Sequence, residues 1–198
     1  MDDQTIEAAI DYGRPLELPP LGGYTFYRAF CDASGGVGAD SYTLAVGHKE
    51  GAHFVIDLVR GTGGKFDPES VTQEYAALLK EYRVFQVTGD SYAAQWVAGA
   101  WRKAGIGYFK SELPKSQIYL ECLPLFARGL VRLPNHQRLL RELRERLTPE
   151  QQQPDRLGAG CQLDGPTTGR EVAELVLLDL ALVDAQETGA IGNQRSDD

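Results

Sequence analysis

Tyr24-Thr25-Phe26-Tyr27-Arg28-Ala29-Phe30-Cys31-Asp32, running directly into Ala33-Ser34-Gly35-Gly36, is the stretch on which the reading of this chain turns. The aromatic-rich run predicts a β-strand, and the glycines predict a turn that bends the backbone away from the strand end. A carboxylate delivered by a rigid strand into such an opening has room for a cation and a substrate, so Asp32 is a candidate metal ligand. Ser34-Gly35-Gly36 would equally suit an aspartate that caps a turn through its own side chain, and both roles stay open for Asp32.

The same design recurs at Val84-Phe85-Gln86-Val87-Thr88-Gly89-Asp90, a short apolar strand that closes on glycine and aspartate. Asp90 is the second candidate ligand, and it is also placed to cap a helix predicted over Ser91–Ala104. Two strand-end carboxylates are the hard oxygen donors that a divalent ion requires. Working outward, Ser41–His48 and His53–Arg60 read as strands joined by the hairpin loop Lys49-Glu50-Gly51-Ala52. Pro68 opens a helix capped by Asp67 and running toward Tyr82. Gly105–Phe109 reads as a fifth strand, and Leu113–Phe126 and Arg138–Leu147 as helices.

Composition sets the outer limits. A chain of 198 residues with 42% hydrophobic content can bury one ordinary core. No stretch reaches the roughly 20 apolar residues of a membrane span, and Met1-Asp2-Asp3-Gln4 is acidic where a signal peptide is basic, so a cytoplasmic protein without a membrane partner is expected. Cys31, Cys122 and Cys161 lie far apart with no Cys-x-x-Cys spacing, which argues for buried thiols over a disulfide framework or a zinc site. His48, His53 and His136 are equally scattered, giving a histidine-rich metal site little support. The net charge of −8 is unevenly spread: residues 101–146 hold 10 Lys and Arg against 4 Asp and Glu, between two strongly acidic segments. That middle stretch suits a phosphate backbone or an ordinary solvated helix surface.

Residues 1–23 are read as a linker or N-terminal tail because Pro15, Pro19, Pro20, Gly22 and Gly23 oppose regular structure. Residues 24–184 form the expected domain, and the polar residues 185–198 a disordered tail. The order of three antiparallel strands, helix, strand, helix, strand and further helices matches an α/β, ribonuclease H-like architecture with a mixed five-stranded sheet flanked by helices. In that architecture the first strand lies beside the fourth, which would bring Asp32 and Asp90 together.

Five segments taken in order then carry a resemblance. Phe30–Gly36, Asp40–Ala45, Val87–Ala93, Pro114-Lys115-Ser116 and Val131–Pro134 together resemble the nuclease domain of phage terminase large subunits, from about Tyr24 to Leu147. The resemblance implies a divalent-metal-dependent endonuclease with a ribonuclease H-like fold that cuts double-stranded viral DNA during genome packaging. It implies two ions, Mg²⁺ or Mn²⁺, with Asp32 bridging both and Asp90 ligating one. Portal or other packaging proteins are the further partners it implies, in the cytoplasm of a bacterial host. The ATPase part of such subunits has no counterpart, since Gly61-Thr62-Gly63-Gly64-Lys65-Phe66 lacks the features of a phosphate loop.

The family's third acid belongs to a late Gly-His-Asp-Asp-Val-Ala-Asn type motif. Here Leu163–Glu174 aligns with it, placing Arg170 and Glu171 where the family has two aspartates, so the implied third metal ligand is Glu171. An acid in a first helical turn also has a dipole reason to be there. Asp179 is a competing ligand, because it shares a helical face with Val172, Leu175, Val176, Leu180 and Val183. Residues 147–184 diverge from the family, and a catalytically inactive remnant acting as a docking domain is the alternative reading. Activity on RNA·DNA hybrids or on branched junctions is a third. Asp40 is read as a loop residue or a support of the site, Lys110 and Lys115 as surface lysines or phosphate contacts, and Trp96 and Trp101 as core.

Overall fold

The computed structural model describes residues 2–36, 41–89, 95–112 and 115–147. At its centre is the expected meander of β2 (Tyr27–Asp32), β3 (Tyr42–Glu50) and β4 (His53–Thr62). Strands β2 and β3 pair from Tyr27↔His48 to Asp32↔Thr43, and β3 and β4 close at Glu50↔His53. The turn at Gly51-Ala52 needs a glycine because Gly51 has φ 59°.

Helix α2 (Pro68–Glu81) begins as the sequence dictates: the Asp67 side chain accepts from the backbone N–H groups of Glu69 and Ser70, and Pro68 opens the helix. Strand β5 (Gln86–Gly89), helix α3 (Gln95–Lys103), strand β6 (Gly107–Lys110), helix α4 (Lys115–Ala127) and helix α5 (Gln137–Leu147) follow within a few residues of their predicted bounds. Strand β5 runs parallel to β2 on one side and to β6 on the other, so the first predicted strand does lie beside the fourth.

Among the described residues the sheet has seven strands, not five, in the order β1-β7-β4-β3-β2-β5-β6. The two additional strands are short. Strand β7 (Val131–Pro134) lies parallel to β4, and β1 (Ile10–Asp11) lies parallel to β7 with Ile10 opposite Leu133. Two to four residues carry no readable alternation, and their stability comes from partners distant in sequence. For the same reason residues 1–23 are not simply a linker. Helix α1 (Asp3–Glu7) and β1 place Ile6, Ala9 and Ile10 in the core, while the proline-rich part beyond them has no regular structure and bends repeatedly.

The core has two layers, one on each face of the sheet. Helices α1, α4 and α5 cover Phe30, Ala45 and Ile56 through Ile6, Cys122, Phe126, Leu139 and Leu143. Helices α2 and α3 cover Cys31, Leu44, Val46 and Leu58 through Tyr75, Leu79, Val97 and Trp101. Burial on both faces is what makes β3 read as a nearly continuous apolar run. Trp101 is fully buried as expected, but Trp96 is 40% exposed, because α3 turns only one side toward the sheet. Cys31 and Cys122 are buried and not joined in a disulfide, and Cys161 lies outside the described residues.

Candidate metal centre at the ends of β2 and β5

Asp32 is the last residue of β2, half-buried and opposite Thr43 of β3. Alternation along the strand places Phe30 and Asp32 on the face of α1, α4 and α5, and Cys31 on the face of α2 and α3. On the neighbouring strand Gly89 closes β5 and pairs with Cys31. Asp90, the next residue in the chain, lies outside the described residues, as do Glu171, Asp40 and Asp179. Of the three predicted ligands the structure therefore places Asp32. Among the described residues no three His, Cys, Asp or Glu side chains converge to hold a metal.

Thr43 is paired opposite Asp32 and is buried, and the adjacent Cys31 thiol, on the other face, is pushed up, first by burial and then by the Asp32 charge.

The glycines around the site are held by close approach. Gly36, at φ 69°, lies against the loop after β4, where Phe66 N donates to Gly36 O at 3.4 Å. A Cβ there would stand 3.2 Å from the Phe66 carbonyl carbon and closer still to its oxygen. A Cβ on Gly89 would stand 2.7 Å from Cε2 of Tyr108, with the phenol oxygen nearer. Tyr108 was not singled out in the sequence, and only the β5–β6 pairing Val87↔Tyr108 carries its ring over Gly89. Beneath lies a layer of buried aromatics. Tyr42 Oη is 3.0 Å from Thr72 Oγ1, Tyr75 Oη donates to Tyr42 O at 2.9 Å, and Trp101 packs edge-on to Tyr42 at 6.5 Å. Burial pushes the Tyr42 hydroxyl up, so it acts as a neutral hydrogen-bonding group.

At the opposite end of β2 is a pair that the scattered histidines did not suggest. His48 Nδ1 and Asp57 Oδ2 are 2.7 Å apart and buried. The β3–β4 ladder shifts there, since Val46 pairs with Leu58 but Gly47 with Ile56, leaving Asp57 as the bulged residue. The proline-rich strap crosses this bulge. Leu18 N donates to Asp57 O at 2.8 Å, Arg14 Nη2 to Ile56 O at 2.5 Å, and the Tyr82 hydroxyl to Leu18 O. Burial raises the Asp57 carboxyl above its ordinary range, and its hydrogen bond to His48 opposes that rise.

No family model matches the chain, and no curated protein sequence matches it. Solved structures do. The large terminase nuclease from thermophilic phage G20c with bound magnesium superposes with a TM-score of 0.61 at 18% identity, over 89% of this chain and 92% of that one. The same nuclease has been crystallised with zinc and with cobalt. A mutant nuclease domain of the large terminase subunit of bacterial virus Sf6, with manganese and beta-thujaplicinol, matches at 0.51 and 16% identity over 72% and 80% of the two chains. The HK97 bacteriophage large terminase matches at 0.53 and 12% identity, over 71% of this chain and 35% of that longer one. With its mixed sheet, the β2–β5 adjacency and helices on both faces, the chain has the ribonuclease H-like fold of phage large-terminase nuclease domains.

Proposed function

We propose that the chain is a divalent-metal-dependent DNA endonuclease of the phage terminase large-subunit type, cutting viral DNA during genome packaging. The observation that carries this reading is the pairing of Cys31 with Gly89: each is followed directly by an aspartate, on parallel strands of a fold shared with metal-bound terminase nucleases. Asp32 and Asp90 would hold the ions, and Glu171 would supply the third carboxylate. Two bound Mg²⁺ or Mn²⁺ ions would supply an activated water and neutralise charge on the departing 3′ oxygen. The protein's part is placement: β2 fixes Asp32 on a hydrogen-bonded frame, the turn after it is held by the close approach of Gly36 to Phe66, and Tyr108 packs over Gly89 at the end of β5.

Residues 24–184 would make up the nuclease domain, with α1 and β1 completing its sheet and 185–198 as a tail. Its setting would be the cytoplasm of an infected bacterial cell; among the described residues no helix is long and apolar enough to cross a membrane. Portal or other packaging proteins are its proposed further partners.

Arg170-Glu171, standing where the related motif has two aspartates, supports a second reading as an inactive docking domain. Plasmid cleavage with Mn²⁺, Mg²⁺ or EDTA separates the two, using the wild type beside Asp32→Asn and Glu171→Gln. Metal-dependent cutting that needs Asp32 establishes the nuclease. A folded wild type that leaves plasmid intact under every condition removes the nuclease reading, and pull-down of a portal or capsid component by that inactive protein supports the docking one.

A further inference from the structure

Among the described residues, helices cover the Phe30, Ala45 and Ile56 face of β2, β3 and β4, and a groove of about 1290 Å³ runs along β2, the end of β3, β5 and Phe109 of β6. Three phenylalanines line it: Phe26 is 88% exposed, Phe85 59% and Phe109 53%. Single exposed apolar residues are ordinary, but three large rings on one concave surface mark a binding site. The Phe109 ring is seated by design, since Gly107 leaves room for it and a Cβ there would touch its Cε2 at 3.4 Å.

The charge of the groove runs against that of the whole chain. Arg28, Lys49 and Arg83 line it with Glu50 as their one acidic companion, in a protein of net charge −8. From its end beside His48–Gly51, opposite the candidate centre, the groove extends along β5 in the direction of that centre. It reaches Thr88, whose partner on β2 is Phe30, two residues before Asp32.

We propose that this groove binds one unpaired strand of nucleic acid, with bases stacked on Phe85 and Phe109 and phosphates against Arg83 and Lys49, and feeds it toward Asp32. Ring faces on a groove floor can stack only bases that are not already stacked within a duplex, and stacking tolerates any sequence. Cations at the rim neutralise the backbone. The inference rests on the nuclease reading for its direction and goes beyond it in the form of the substrate: the site takes DNA that carries a single-stranded stretch.

Fluorescence anisotropy on the full chain in EDTA tests the groove without calling on cleavage. The probes are labelled oligo-dT of about 15 nucleotides and a duplex of equal length. The expected result is tighter binding of oligo-dT, weakened about 10- to 100-fold in a Phe85→Ala/Phe109→Ala variant. A Lys49→Gln/Arg83→Gln variant is expected to bind more weakly and with a shallower salt dependence. These side chains are on the surface, and circular dichroism verifies that the variants fold. Equal affinity for duplex and single strand, or affinity indifferent to both phenylalanines, overturns the proposal. So does a phenylalanine variant that changes only self-association in sedimentation, which would assign the patch to a second copy. Binding without any metal-dependent cutting sinks the nuclease reading alone, and cutting without groove-dependent binding sinks the groove alone.

Discussion

Cys31 of β2 and Gly89 of β5 are paired across parallel strands, each one residue short of an aspartate. Parallel neighbours lie about 4.8 Å apart, and this is the spacing that lets carboxylates on adjacent strands share cations. Asp32→Asn keeps the shape and removes the charge. Cleavage in Mn²⁺ is expected to fall by about 10³-fold with the melting temperature nearly unchanged. Gel assays of plasmid nicking beside thermal melts check it, and retained cutting would remove Asp32 from the site.

Gly89→Ala places a methyl group where the Tyr108 ring stands. The ring or the strand must move, and the end of β5 moves with it. The expected outcome is weaker Mn²⁺ binding by titration calorimetry and a stability loss of about 1–3 kcal/mol. Trimming the ring, in Gly89→Ala/Tyr108→Ala, is expected to recover part of the metal affinity. No recovery would mean that Tyr108 has no bearing on the strand end.

Gly36→Ala meets two obstacles, a positive φ and the Phe66 backbone. Backbone cannot swing aside as a flexible side chain can. A destabilisation of about 2–4 kcal/mol is expected from urea unfolding, well above the roughly 1 kcal/mol of the conformational effect alone.

Trp101 and Trp96 lie on one helix in opposite environments. Trp101→Ala is expected to cost about 3–5 kcal/mol through the cavity it leaves under Tyr42, and Trp96→Ala less than about 1 kcal/mol. Chemical denaturation of the two variants side by side tests this. Equal costs would contradict the core assignment.

The strap predicts a pH dependence. Arg60 donates from Nε and Nη2 to Glu17 at 2.9 Å each, and these hydrogen bonds hold the Glu17 carboxyl below its ordinary 4.5. A folded-state pKa below the unfolded one contributes stability above the unfolded value and loses it as pH falls through the folded value. Both side chains are more than a third exposed, so solvent screening limits the pair to about 0.5 kcal/mol. Glu17→Gln is expected to lower stability by that amount at neutral pH, with the two melting curves converging on acidification below pH 4.5.

Much of this could be read along the chain because the signals are local. Asp67-Pro68 announces α2 through capping chemistry confined to one turn. The meander from β2 to β4 follows from apolar runs, a two-residue turn and strands adjacent in sequence. Asp32 stands out because it ends an aromatic-rich strand at a glycine turn. Each of these readings needs only neighbours a few residues away.

Tertiary structure alone decided the rest. Strands β1 and β7 exist because Ile10 meets Leu133, and no pattern within two or four residues encodes a partner so distant. The His48–Asp57 pair arises from a shifted ladder register, Tyr108 meets Gly89 only through β5–β6 pairing, and the groove gathers residues of β2, β3, β5 and β6 that are far apart in the chain. By itself the sequence determined five of the seven strands, the longer helices and the carboxylate to watch, since short-range hydrogen bonding and periodicity suffice for those. Which residues face each other was left to packing, where long-range contacts offset the entropy of bringing distant segments together.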